Sequence, residues 1–281
     1  MNLFKNYLCS KSKSDNTQES YIKAIEEYKR WFEDSYGIKF NRLYRENILE
    51  YKSYLRNIKK HEGKELNANT INVKISALVS YNKFLIENGV QDDLVIFKED
   101  FIKIQINVAN PCKINKNDVE GFRQKVLESG NSRLYAIITI LAYGGLRISE
   151  ALDLKVANIN FLSKDIIISN GKGNKQRAIY MNSKIENAIK KYLKVREDKG
   201  EYLFISRERE KLDRTIVNKE IKRYSDVITP HMLRHFFCSN ALENGFTIAE
   251  VANLAGHKSV QTTLIYTNPS IEKMKMKMEL L

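Results

Sequence analysis

The chain has 281 residues, 47 Lys and Arg against 34 Asp and Glu, a formal net charge of +13 and 43% hydrophobic residues. That length and apolar content suit one large or two ordinary packed domains and exclude a globally disordered chain. The charge is uneven, with 18 basic and 15 acidic side chains over residues 1–108 and 29 and 19 over residues 109–281; a field of that sign suits polyanions such as nucleic acid, and on charge alone a solvated, Lys-rich surface fits equally well.

The opening stretch, MNLFKNYLCSKSKSDN, holds no apolar run fit for a secretory signal. Gln18 to Phe32 then places Tyr21, Ile25, Tyr28 and Phe32 at helical spacing behind a cap at Asn16 or Thr17. A second helix is predicted over Ile48 to Ile58, with Ile48, Tyr51, Leu55 and Ile58 inward. A third covers Asn69 to Ile86, built on Ile71, Ile75, Leu78 and Leu85 and closed by Asn88-Gly89. Asn72 and Lys74, on the polar face of this third helix, are candidates to enter a DNA groove; an ordinary solvated face is the plain alternative. Next comes KIQINVANPCKINKND, extended and β-branched, where Pro111 turns Asn110 away from helix and Asn115 to Asp118 offers fresh caps. This predicts a helical domain at 1–105, a linker at 106–113 and a second domain at 114–281.

The longest apolar stretch, Leu134 to Leu146, is interrupted by Thr139 and Gly144-Gly145 and falls short of the ~20 residues a membrane-spanning helix needs. Two glycines in YGGLRISEALDL (143–154) lead into a helix with Arg147 near its start, and Glu150 follows one turn later, within reach of the guanidinium. DIIIS (165–169) and QRAIY (176–180) flank the polar turn NGKGNK and predict a hairpin with Lys172 at its tip. No phosphate-cradling GxxxxGK[ST] or GxGxxG motif is present.

The run TPHMLRHFFCSNALENGFTIAEVANLAGHKSVQTTLIYTNP (229–269) holds the rest. Thr229 and Pro230 open a helix with His231 and Arg234 one turn apart, over a buried side of Leu233, Phe237, Ala241 and Leu242. Asn244-Gly245 stops it, Thr247 caps a helix carrying Ile248, Val251 and Leu254, and Gly256 ends that helix before His257. A further helix from Val260 brings Tyr266 nine residues after His257. Guanidiniums suit the non-bridging oxygens of a phosphodiester, imidazoles can shuttle a proton, and a phenol becomes a nucleophile beside a base and a cationic pocket. His231 and His235 also share the i, i+4 spacing of helical zinc ligands, but position 232 is Met where HExxH has its base. A half-buried structural histidine beside Phe236 and Phe237 fits His235 better. Cys9, Cys112 and Cys238 are odd in number and lack CxxC spacing, which fits a reducing cytoplasm.

Arg147 in GGLRISEA, Lys172 in GKGNK, His231 and Arg234 in HMLRH, His257 in LAGHKS and Tyr266 in TTLIYT resemble, in order and spacing, the tyrosine recombinase (phage integrase) family. The resemblance implies a mainly α, two-domain DNA clamp: an N-terminal helical, SAM-like core-binding domain and a C-terminal mixed α/β catalytic domain with a small sheet. It implies that Tyr266 attacks a DNA phosphate to leave a 3′-phosphotyrosyl link, with Arg147 and Arg234 gripping that phosphate. Lys172 would protonate the leaving 5′-oxygen, His231 would assist as base, His257 would bond the phosphate and Glu150 would support Arg147. No metal or cofactor is expected. The partner would be a double-stranded recombination site in the cytoplasm, at the nucleoid, held by a homotetramer whose C-terminal tails (270–281) exchange between protomers. A compact layout of this kind resembles chromosome-dimer and transposon resolvases. A type IB topoisomerase-like enzyme and a non-catalytic DNA-binding protein on the same scaffold are the alternatives.

Overall fold

Apolar residues recurring every three or four positions fold the first hundred residues into helices whose inner faces meet. In the computed structural model the described residues are 1–104, 114–168, 176–197, 200–206, 208, 210–257, 259, 261–264 and 278–279. The chain falls into two compact units, Met1–Ile106 and Asn107–Leu281; the expected linker at 106–113 lies outside the described residues.

The first unit begins with a helix the periodicity did not suggest, α1 (Asn2–Ser10), which carries only Phe4 and Leu8 into the core. Helix α2 (Asp15–Tyr36) extends past both ends of its predicted span. Its cap is Ser14, with Asp15 in the first turn where a carboxylate suits the positive end of the helix dipole, and Gly37 closes it at φ +67°. Helix α3 (Arg45–Asn57) buries Ile48, Tyr51 and Leu55. Ile58, expected inward, is the C-cap residue and 68% exposed, because the helical period stops one residue before it. A short antiparallel hairpin, β1 (Lys60–His61) and β2 (Lys64–Glu65), precedes α4 (Ala68–Glu87). There the Asn67 side chain accepts from the Thr70 N–H at 2.8 Å. Ile25, Tyr28, Tyr51, Leu55, Ile75 and Leu78 form a core with no exposure.

The second unit opens with α5 (Lys116–Glu128), whose Asn115 and Asp118 exchange capping hydrogen bonds. The apolar stretch becomes α6 (Ser132–Gly144), which packs against α5 and against two later helices, α8 and α10, with ranges Ser183–Val195 and Pro230–Glu243. Leu134, Ile137, Ile138, Ile140 and Leu141 have no exposure, and burying each contributes roughly 1.5–3 kcal/mol. After α7 (Ile148–Leu152), strands β3 (Ile159–Asn160), β4 (Asp165–Ile168) and β5 (Arg177–Tyr180) form a three-stranded antiparallel sheet in that order. Its register pairs Asp165 with Tyr180 and Ile168 with Arg177. Then follow α8, α9 (Arg214–Lys222), α10, α11 (Ile248–Ala255) and α12 (Gln261–Leu264). Of the expected Ile248, Val251 and Leu254 on α11, Val251 is buried together with Ala252 and Ala255, while Ile248 and Leu254 are half-buried. The fold is mainly helical with small sheets, as predicted. Among the described residues no helix is long and apolar enough to cross a membrane.

Candidate active site

The last carbonyls of an α-helix have no donor within the helix, and the dipole leaves that end partly negative. At the end of α11 three successive carbonyls accept from three arginines. Leu254 O accepts from Arg177 Nε at 3.1 Å, Ala255 O from Arg234 Nη2 at 2.7 Å and Gly256 O from Arg147 Nη2 at 2.9 Å. Gly256 takes φ +66°, and the next residue is His257.

The three arginines reach this point from separate elements. Arg147 is the N-cap of α7, entered through Gly145 at φ +66°. Arg177 opens β5, and Arg234 lies one turn inside α10. One carboxylate faces all three. Glu150 is 5% exposed and accepts from the Arg147 backbone N–H at 2.8 Å, from Arg147 Nη1 at 2.8 Å and from Arg177 Nη1 and Nη2 at 3.1 and 2.8 Å. Arg234 Nη1 stands 3.8 Å from it and donates to Gly145 O at 2.6 Å. Burial pushes the Glu150 carboxyl up, but hydrogen bonds from Arg177 and Arg147 outweigh it and hold the group below the usual carboxylate range. Burial and the neighbouring Arg147 lower Arg234 to about 10, which leaves it charged at neutral pH. Arg147 has 43% of its side chain open to solvent.

Three imidazoles border the cluster. His231 and His235 lie one turn apart on α10 with Nε2 atoms 2.7 Å apart, close enough to share a proton, and their rings cross at 82°. Burial, then His231 and Arg234, push His235 down to about 4; burial and Arg234 lower His231 as well. His257 Nδ1 lies 2.7 Å from the hydroxyl of buried Thr263 on α12. Burial, then the positive charges of Arg234, Arg147 and Arg177, lower it to about 4. Among the described residues, three guanidiniums against one carboxylate leave a surplus of two positive charges beside the three imidazoles. That is a site for a phosphate and for the charge that develops on it in transfer. Among the described residues no three His, Cys, Asp or Glu side chains gather as a metal-holding group.

The phage integrase family model matches residues 113–273, and the phage integrase N-terminal SAM-like domain matches residues 1–89. The chain belongs to the phage integrase family. It is 53% identical over 283 residues to the TnP I resolvase of Bacillus thuringiensis, covering 99% of this chain and 98% of the relative. It is 30% identical over 284 residues to the tyrosine recombinase XerA of Pyrococcus horikoshii, covering 98% of this chain and 91% of the relative. The solved Tn1549 transposon integrase in complex with transposon right end DNA shares the fold at a TM-score of 0.72 and 18% identity, covering 99% of this chain and 98% of that one.

Arg147, Arg234, His257 and Glu150 meet at the end of α11, and His231 adjoins them through Arg234 and His235. Lys172 and Tyr266 lie outside the described residues. Arg177 was not among the residues singled out in the sequence. A signal existed, since alternation along β5 puts it on the same face as Ile179, which is 1% exposed, and a charge on a buried face needs a partner. In the first unit, Asn72 is half-buried and its carboxamide clamps the Ile102 backbone, donating to Ile102 O at 2.9 Å and accepting from Ile102 N–H at 2.8 Å. Lys74 donates to Glu27 at 2.5 Å. Both polar groups are engaged within their own unit.

Proposed function

We propose that this member of the phage integrase family is a site-specific recombinase that cuts and rejoins DNA strands without a metal ion. The observation that carries the reading is the surplus of two positive charges around Glu150 at the end of α11. A phosphodiester bears one negative charge, and its five-coordinate transition state bears two. Arg147 and Arg234 take the non-bridging oxygens, and fixed guanidiniums stabilise the developing charge in place of metal ions. Tyr266 Oη attacks phosphorus; its bond forms as the bond to the 5′-oxygen breaks, and the phenolic proton passes to His231. Lys172 protonates the departing 5′-oxygen, His257 donates to the phosphate and Glu150 holds Arg147. The 3′-phosphotyrosyl link is then attacked by the 5′-hydroxyl of a partner strand, so bond energy is conserved. The likeness to a resolvase over nearly the whole chain supports resolution of a mobile element or replicon. Residues 1–105 and 114–281, joined by 106–113, both hold the duplex. Four protomers on two paired sites exchange the tail at 270–281, in the cytoplasm at the nucleoid.

The experiment is to recover and sequence DNA covalently attached to the full-length chain after denaturation, with excess EDTA throughout. The unsubstituted chain should yield one recurrent site. Tyr266→Phe should bind that site and yield no adduct, since the hydroxyl is the only atom lost. An undiminished adduct from the Phe variant sinks the nucleophile assignment, and an adduct that EDTA abolishes sinks the metal-free one. Religation confined to the same strand, with no exchange between two duplexes, would instead mark a type IB topoisomerase-like enzyme.

A further inference from the structure

Arg177 has a geometry the proposed chemistry does not yet use. Each of its three nitrogens already donates to a group of the protein: Nη1 and Nη2 to the two oxygens of Glu150 at 3.1 and 2.8 Å, and Nε to Leu254 O at 3.1 Å. Its side chain is 15% exposed. The guanidinium therefore bridges two parts of the site that are far apart in sequence, the acid that holds Arg147 and the helix end that holds Arg147, Arg234 and the residue before His257. Gly256 is shaped to admit it. A Cβ there would lie 2.7 Å from Arg177 Cζ, so the position needs a glycine both for its positive φ and for the close approach of this side chain. Arg177 also stands five residues after Lys172 in the chain.

We infer that Arg177 is a positioning residue for strand transfer, the brace that fixes Glu150 and the end of α11 against each other so that Arg147, Arg234 and His257 present one rigid arrangement to the scissile phosphate. The inference rests on the recombinase reading of the site. It acts through Glu150 and Leu254, which three of its five N–H groups hold. Lysine cannot replace it: one ammonium cannot offer a planar fork to a carboxylate and a third donor to a carbonyl. A loss of alignment of about 1 Å in such a site is worth on the order of 10²-fold in rate.

The test uses the full-length chain, with Arg177→Ala and Arg177→Lys, on a nicked duplex of the sequence recovered by covalent trapping of the unsubstituted protein. Binding is read by mobility shift and cleavage by single-turnover adduct formation. Both variants should bind nearly as the unsubstituted chain does and cleave on the order of 10²-fold more slowly. Added guanidinium ion, below denaturing concentration, should restore part of the Ala variant's rate by refilling the gap. A methylphosphonate at the scissile position removes one negative charge and so asks less of Arg147 and Arg234; it should shrink the deficit of both variants. If the Ala variant fails to fold, the Lys variant carries the binding, rate and methylphosphonate measurements by itself. Cleavage at the unsubstituted rate overturns the inference, as does a deficit that neither guanidinium nor methylphosphonate alters, which would mark a general loss of structure. No adduct from the unsubstituted chain overturns the recombinase reading and the inference with it.

Discussion

Glu150 is a single carboxylate bonded to Arg147 and Arg177, with Arg234 3.8 Å away. Removing one member of a buried, hydrogen-bonded ion cluster exposes the rest to uncompensated repulsion, at about 3–5 kcal/mol. Glu150→Gln should therefore lower the stability of the second unit by about that amount and slow cleavage further than it weakens DNA binding; chemical denaturation and adduct formation measure the two effects. The histidines give a pH dependence of defined sign. Burial with nearby positive charge sets His235 and His257 at about 4 in the folded chain, against about 6.5 when unfolded. The unfolded state then binds more protons between those values, so the stability these residues contribute is fully present above about pH 6.5 and drains away as pH falls toward 4. Urea midpoints should fall between about pH 7.5 and pH 5, and His235→Asn with His257→Asn should flatten that fall. An unchanged pH slope in the double variant would remove these residues from the account.

At the scale of the element, the end of α11 is a junction. A helix C-terminus binds cations through its dipole and its unmatched carbonyls, and here it holds the guanidiniums that α7, β5 and α10 deliver. The approach to α7 is equally constrained. Gly145 has φ +66°, and a Cβ on it would sit 2.3 Å from the Phe237 ring, while its carbonyl receives Arg234. Gly145→Ala must push α7 and α10 apart, with an overpacking penalty of about 1–3 kcal/mol, and should displace Arg234 from its carbonyl. A lower denaturation midpoint together with slower cleavage is expected. A variant with unchanged midpoint would mean that Phe237 turns aside freely.

At the scale of the whole molecule, each unit buries its own core, Tyr28, Tyr51 and Ile75 in the first and Ile137, Leu141 and Phe204 in the second. Ile271, Met274, Met278 and Leu281 of SIEKMKMKMELL fall at helical spacing and would line one face of a helix; of these only Met278 is among the described residues, and it is 67% exposed. Truncation after Ser270 should leave folding and single-site binding intact and impair pairing of sites and strand exchange. Circular dichroism, mobility shift and a two-site exchange assay measure the three. Exchange at the normal rate by the truncated chain would dismiss tail docking between protomers.

Periodicity was enough to read the long helices, and caps located several starts, because both are local: Asn115, Thr229 and Thr247 each cap the helix their position suggested, while Ser14 caps α2 in place of Asn16 or Thr17. The hairpin of β4 and β5 was legible for the same reason, from two short apolar runs around a polar turn. Helix α1 was not, since two buried residues in nine make too weak a period and its stability comes from packing on α2 and α4. The family could be named from the order of six short boxes. The arrangement at the end of α11 could not be drawn from them. Arg147 and Glu150 read in the sequence only as residues one turn apart, and the cluster they join depends on partners 27 to 109 residues away, Arg177 and Gly256. Linear sequence determined which residue types are present and how each segment curls. Which arginine reaches which carbonyl was decided by tertiary packing, because contacts between distant segments leave no period along the chain.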